Sequence, residues 1–349
     1  MKSTLSKYFA EPRHFENPND AKYKRAAMTF IRDQFRQLGL ETHIHTCSTV
    51  ATKCVNVIGL LKGRNFNTPD DSVVGVTAHH DTISTTPGVN NNGAGVVAML
   101  EVAREVSKQP NRIFTVLFMC IDFKEAENSE DSGCKSGQCG LQALAREWLP
   151  NFWPKTVNCI LVLDSILNFD DTKKSQNFTA TFKKLFPAIV KNVESNEGPG
   201  DFLAITGRSH DAPLATLFKD TWNSMGDDKY KIQDIVLPSS VPNPATEKTL
   251  QPFSEFLLGT HTTFWLRGDR AVFLSDTAEN RGSTKQCYHM DCDNMNKVSE
   301  VKIGFIAKTA RTLISVVNSM APVSDGTTIQ STNHFVILSA LLFFRLASF

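Results

Sequence analysis

Charge of one sign is in short supply. In 349 residues, 37 Lys and Arg stand against 36 Asp and Glu, a formal net charge of +1. No global field therefore recruits nucleic acid, anionic membrane or acidic substrate, and any specificity is local. No internal repeat, low-complexity tract or heptad series occurs, which excludes solenoids, linkers and coiled coils. Neither a GxxxxGK[ST] nor a GxGxxG stretch is present, which removes the usual phosphate cradles. The GxSxG elbow is missing too, and Ser209-His210-Asp211 cannot form a relay, because adjacent residues cannot bring Ser, His and Asp into line. No CxxC spacing occurs, so the thiols do not read as metal ligands. Residues 1–20 carry no apolar h-region, so the chain as given shows no secretory signal.

What is present is ordinary globular material. A hydrophobic content of 41% over this length can bury the core of one large domain or two modest ones. The eight cysteines fall partly in close pairs across short polar loops: Cys47 with Cys54, Cys134 with Cys139, and Cys287 with Cys292. Paired thiols in loops favour disulfides and an oxidising compartment, whereas Cys120 and Cys159 sit in apolar, strand-like runs. Asn177-Phe178-Thr179 is a glycosylation sequon that agrees with secretion. At the other end, Ser324-Asp325-Gly326, the polar spacer Thr327 to His334 and the apolar tail Phe335 to Phe349 have the layout of a GPI-attachment signal. A membrane-spanning tail and a buried terminal helix are the alternatives, although the tail is shorter than a ~20-residue span and contains Arg345. The expected location is extracellular or at the cell surface.

Hydrophobic periodicity places an amphipathic helix over Asp20 to Leu38, with Asn19 as N-cap and Gly39 as its stop. Val55 to Leu61, Val73 to Ala78, Ile113 to Ile121, Cys159 to Leu163 and Ala271 to Ser275 read as strands. Helices are expected over Gly93 to Val106, Leu141 to Trp148 and Val298 to Val317. Alternating strands and helices predict a single α/β domain over residues 8–318, a three-layer sandwich whose central sheet is mixed but mostly parallel. The polar stretch Asn168 to Ser254 is expected to add loops and helices near the site.

Several strand ends carry chemistry. Val73 to Ala78 runs into His79-His80-Asp81, and period-two alternation puts His79 and Asp81 on one face, where the carboxylate can orient the imidazole for a metal. The run ending at Ile121 delivers Asp122, Lys124 and Glu125, the run ending at Leu163 delivers Asp164, and His289 follows the Ala271 strand. Histidines and carboxylates converging on one sheet edge suit zinc.

These stretches resemble the zinc aminopeptidases and glutamate carboxypeptidases of the co-catalytic metallopeptidase group. The resemblance runs through AHHDT (78–82), PGVNNNGAGVVAMLEVAR (87–104), IDFKE (121–125), VLDS (162–165), GTHTTFW (259–265), and AVFLSDTAENRG with YHMDCDN (271–294). It implies a single α/β domain and exopeptidase chemistry with water activated between two zinc ions. By that resemblance His79 and Glu125 are ligands of one zinc, Asp164 and His289 are ligands of the other, and Asp81 holds His79. Two positions depart. Asn91 stands where the bridging aspartate belongs, and Lys124 stands where the glutamate general base belongs.

The departures change the electrostatics. An amide supplies no charge to a bridge, and an ammonium repels metals and cannot act as a base while charged. Loss of general-base help alone costs about 10²–10⁴ in rate. The acidic, Cys-bearing insertion Ala126 to Cys139 also remodels the rim. The expectation is a protein that binds zero or one zinc ion, or two if the site is intact, is catalytically impaired, and acts by binding a peptide or protein partner. A working aminopeptidase with a remodelled mono-zinc site is the alternative. His261 is the candidate substrate contact; no nucleic-acid partner is expected, and the C-terminus is expected to attach to a membrane.

Overall fold

A computed structural model describes residues 1–14, 18–48, 53–125, 140–257, 259–282 and 285–324. The insertion at 126–139, with Cys134 and Cys139, and the proposed anchor and tail from Asp325 onward lie outside the described residues. Among the described residues, no helix is long and apolar enough to cross a membrane.

Eight strands form one sheet: β1 (Glu41–Ser48), β2 (Lys53–Leu61), β3 (Val73–His79), β4 (Thr115–Ile121), β5 (Cys159–Leu163), β6 (Phe202–Arg208), β7 (Lys231–Leu237) and β8 (Ala271–Ser275). Their spatial order is β1-β2-β4-β3-β5-β8-β6-β7. The four central strands β4, β3, β5 and β8 run parallel, while β2 and β6 flank them antiparallel. This is the expected mixed, mostly parallel sheet. Both faces are covered, and β4 shows how: Val116, Phe118 and Cys120 enter one core, Leu117, Met119 and Ile121 the other. Such double burial is why its sequence reads as a continuous apolar run. One core is built on helices Pro18–Gln37, Gly95–Val106, Ala212–Ser224 and Glu300–Met320, and the other on Leu141, Leu144, Phe264 and Trp265.

Details of the expectation shift. The first long helix starts at Pro18, so Asn19 lies in its first turn rather than at the N-cap; a proline there already has helical φ and lacks only an N–H that would be unpaired anyway. Gly39, at φ +75°, ends it as expected. The short helix Lys2–Tyr8 buries Leu5 and Phe9 in the main core, so the packed body takes in residues before 8. The stretch 168–254 does more than supply loops, because it contains β6 and β7. At the opposite edge of the sheet lies β1, whose polar sequence ETHIHTCS carried no apolar signal.

Disulfides join Cys47 to Cys54, register partners on β1 and β2, and Cys287 to Cys292 in the segment after β8, as their spacing led us to expect. Cys120 and Cys159 are buried and free, one strand each.

Candidate functional site

β3 lies between β4 and β5, so the three strands release His79, Lys124 with Glu125, and Asp164 beside one another at their carboxyl ends, where α/β sheets bind ligands. Three flanking residues adopt left-handed backbone: Phe123 (φ +60°), Ser165 (φ +54°) and His289 (φ +62°). Non-glycine residues keep that conformation only where their surroundings impose it, and such strain gathers at functional sites.

The turn from Gly88 to Gly95 brings in the fourth wall. Gly88 has φ +62°, and a Cβ there would collide with the Asn91 carbonyl oxygen and the Thr82 methyl, so only glycine fits. Buried Arg13 fastens the turn by donating to the carbonyls of His80, Pro87 and Gly88 at 2.7, 2.8 and 3.1 Å. Asp293 accepts from the amides of Asn90 and Asn91 at 2.7 and 3.0 Å. The three asparagines then divide their work. Asn90 Oδ1 accepts from Leu167 N at 2.8 Å, and Asn92 Nδ2 donates to Leu163 O at 2.8 Å, so both tie the turn to β5 and the loop after it. Only Asn91 faces the site.

Asn91 Nδ2 donates to Glu125 Oε1 at 2.9 Å, which leaves Asn91 Oδ1 facing His79 Nε2 at 3.1 Å. The other ring nitrogen of His79 lies 3.3 Å from Asp81 Oδ1, and Asp81 Oδ2 accepts from Glu125 N at 2.8 Å. Both imidazole nitrogens therefore face acceptors, the environment of an imidazolium. Burial opposes that charge, but Asp164 and Asp81 outweigh it and raise the His79 pKa to about 10. His80, by contrast, turns away to the Val55 carbonyl. Asp122 serves the fold by pairing with Lys24 and accepting from Val55 N.

Lys124 fills the centre. Its Nζ lies 2.9 Å from Glu125 Oε1 and 3.4 Å from Asp164 Oδ2, with all three side chains buried. Burial works against the ammonium, yet Asp164 and Glu125 hold its pKa well above the ordinary lysine value. Reciprocally, burial would raise Glu125 and Asp164, while Lys124 pulls both carboxyls below their usual range. His289 is partly exposed, and its Nε2 lies 3.1 Å from Glu125 Oε2. The pair is close without being aligned as a hydrogen bond, so neither atom has a directed partner.

A cleft of about 790 Å³, measured out to its open mouth, begins at Asp164 and runs between Phe178, Phe182, Phe256, Phe273 and Tyr288. His261 stands behind its wall. Fully buried, it stacks on Phe273 at 4.6 Å, meets Trp265 edge-on at 4.5 Å, and lies 3.1 Å from the Phe256 carbonyl. Its expected contact with a substrate is thus replaced by support of the cleft-lining Phe273 ring.

The sequence matches the model of Peptidase family M28 over residues 56–314, most of the chain. The chain belongs to peptidase family M28. Aminopeptidase YwaD of Bacillus subtilis is 45% identical over 56 residues, 16% of this chain and 12% of that protein. The uncharacterised protein YfbL of Escherichia coli is 22% identical over 259 residues, 72% of this chain and 68% of that one. The chain thus covers only a small part of the first relative. Among solved structures, the aminopeptidase from Aneurinibacillus sp. strain AM-1 is similar with a TM-score of 0.61 at 11% identity, covering 95% of both chains. A Zn-dependent exopeptidase from Parabacteroides distasonis has a TM-score of 0.55 at 15% identity, covering 91% of this chain and 97% of its own. A Porphyromonas gingivalis glutaminyl cyclase has a TM-score of 0.57 at 14% identity, covering 92% and 98%. These similarities establish a shared fold, and the fold alone does not choose between reactions.

Family membership and the Zn-dependent neighbour suggest zinc, so the question is whether these residues fit it. Zinc requires donor atoms with free lone pairs converging on one point. Here Glu125 Oε1 already accepts from both Lys124 and Asn91, and Asp164 faces Lys124, Ser165 Oγ and His79. Among the described residues no group of three or more His, Cys, Asp or Glu is arranged to hold a metal ion. Two zinc ions do not fit this arrangement.

His79, Asn91, Lys124, Glu125, Asp164 and His289 come together in the structure, with Asp81 behind His79. Sequence reasoning missed Arg13, Asp293 and Tyr288. Asp293 and Tyr288 lay inside the YHMDCDN stretch and could have been tested there, whereas Arg13 carries no local signal.

Proposed function

We propose that this protein is an extracellular or cell-surface member of the family that binds a peptide or protein ligand and has lost most of its hydrolytic power. The observation that carries this reading is the Lys124 ammonium, standing where a general base belongs and ion-paired with Glu125 and Asp164. A base must accept a proton, and a lysine held protonated by two carboxylates has no lone pair with which to accept one. Asn91 compounds the loss, because its amide is spent between His79 and Glu125. Recognition survives this change. The aromatic cleft offers apolar burial for a side chain of a peptide or protein ligand. The two disulfides support an oxidising compartment.

The test is hydrolysis of a panel of free-amine dipeptides, wild type against Asn91→Asp/Lys124→Glu. Wild-type turnover is expected to lie at least ~10²-fold below that of the double variant, the low end of what a general base contributes. Wild-type turnover equal to that of the double variant would sink the reading.

A further inference from the structure

We infer that the Lys124 side chain takes the place of a metal ion, so that this site is assembled and charge-balanced without zinc. The inference concerns the site on which the binding reading rests, but it makes a separate claim about what holds the site together. Bringing Glu125 and Asp164 together in a buried site requires a compensating positive charge between them, since two uncompensated carboxylates repel and resist desolvation. In zinc peptidases a dication supplies it. Here Lys124 Nζ reaches Glu125 Oε1 at 2.9 Å and Asp164 Oδ2 at 3.4 Å, and the lysine itself is buried. It is a tethered cation that needs no ligand exchange to arrive.

The surrounding atoms agree with that role. A metal ion would compete for lone pairs already given to protons: Glu125 Oε1 accepts from Lys124 and from Asn91 Nδ2, and Asp164 Oδ1 accepts from Ser165 Oγ at 3.2 Å. His79 Nε2, the nitrogen that would face a metal, faces Asn91 Oδ1 instead. Asn91 and Lys124 therefore work as a pair. An aspartate at 91 would set one more carboxylate against Glu125 without adding a cation to balance it. An amide at 91 adds no charge, and its NH2 supplies the second proton that Glu125 Oε1 accepts. The two substitutions that look like separate losses are, in this geometry, one exchange of a metal for an internal cation.

The experiment is metal content and thermal stability of the purified wild-type chain from zinc-replete medium. Zinc well below one ion per chain is expected, with a Tm unmoved by chelator or by added zinc. Lys124→Glu/Asn91→Asp is expected to retain zinc and to show a Tm that rises by a few degrees with zinc, as binding to the folded state alone requires. Lys124→Met, uncharged and of similar reach, is the second variant should the first fail to fold. One zinc per wild-type chain, lost in His289→Ala and whose chelation lowers the Tm, would overturn the inference. So would variants that fold but ignore zinc, because Lys124 would then not be what excludes it. The two readings fail separately: turnover by zinc-free protein defeats the binding reading alone, and stoichiometric zinc without turnover defeats this one alone.

Discussion

Two buried ion clusters in this protein solve the same problem differently. At the end of β6, Arg208 pairs with Asp211 through two bonds, Nε to Oδ2 at 2.8 Å and Nη2 to Oδ1 at 3.0 Å. Its remaining N–H groups reach Asn243 Oδ1 and the carbonyls of Trp265 and Asp269, so all five donors have acceptors. At the ends of β3, β4 and β5, three carboxylates meet two cations, and the buried Glu125 Oε2 and His289 Nε2 lack directed partners. The first cluster is closed and structural. The second keeps unspent polar capacity at the carboxyl ends of the sheet, which distinguishes a site from a strut.

The comparison can be tested from its strut side first. Arg208→Ala leaves Asp211 buried without its counter-ion, and denaturant unfolding should register a loss of about 3–5 kcal/mol, the usual cost of breaking a buried pair. Added zinc should restore none of it, in contrast to the zinc-dependent stability expected at the Lys124 site. An Arg208→Ala variant as stable as wild type would erase the distinction.

A smaller effect tests His261, the residue that sequence placed at the substrate and structure places behind the cleft wall. Burial depresses its pKa to about 3, outweighing the Phe256 carbonyl that favours the charged form. With the folded value below the unfolded one of 6.5, its contribution is present above pH 6.5 and is lost as pH falls from there toward 3. Unfolding free energy over that window should therefore be less steep in His261→Asn than in wild type, by up to about 1.4 kcal/mol per pH unit for one proton. Equal slopes would mean that the ring is not held neutral. The least effect is expected at the free thiols. Burial pushes Cys159 up to about 12 and Cys120 well above its ordinary value, so neither should be alkylated until the protein unfolds.

The central strands were legible because double burial writes an uninterrupted apolar run, as in the TVLFMCI of β4. β6 was missed although it is just as buried, since its FLAITGR lies in a polar region and ends in the charged Arg208. β1 was missed because an edge strand need be only partly apolar. In the site, His79 with Asp81 followed from strand periodicity alone. Ser209-His210-Asp211 looks triad-like in print, but adjacent residues cannot form a relay, and Asp211 closes on Arg208 instead.

The family resemblance marked Asn91 and Lys124 as departures, and local pattern settled the central strands and which of their ends carry His, Lys and carboxylates. It did so because periodicity and composition are properties of neighbours in the chain. Only the folded chain decided that Asn90 and Asn92 tie the turn to β5 and the loop after it, and that Lys124 on one strand end lies against Asp164 on another, 40 positions away in the numbering. Ion pairing depends on distances in space, and the parallel packing of β4, β3 and β5 sets those distances.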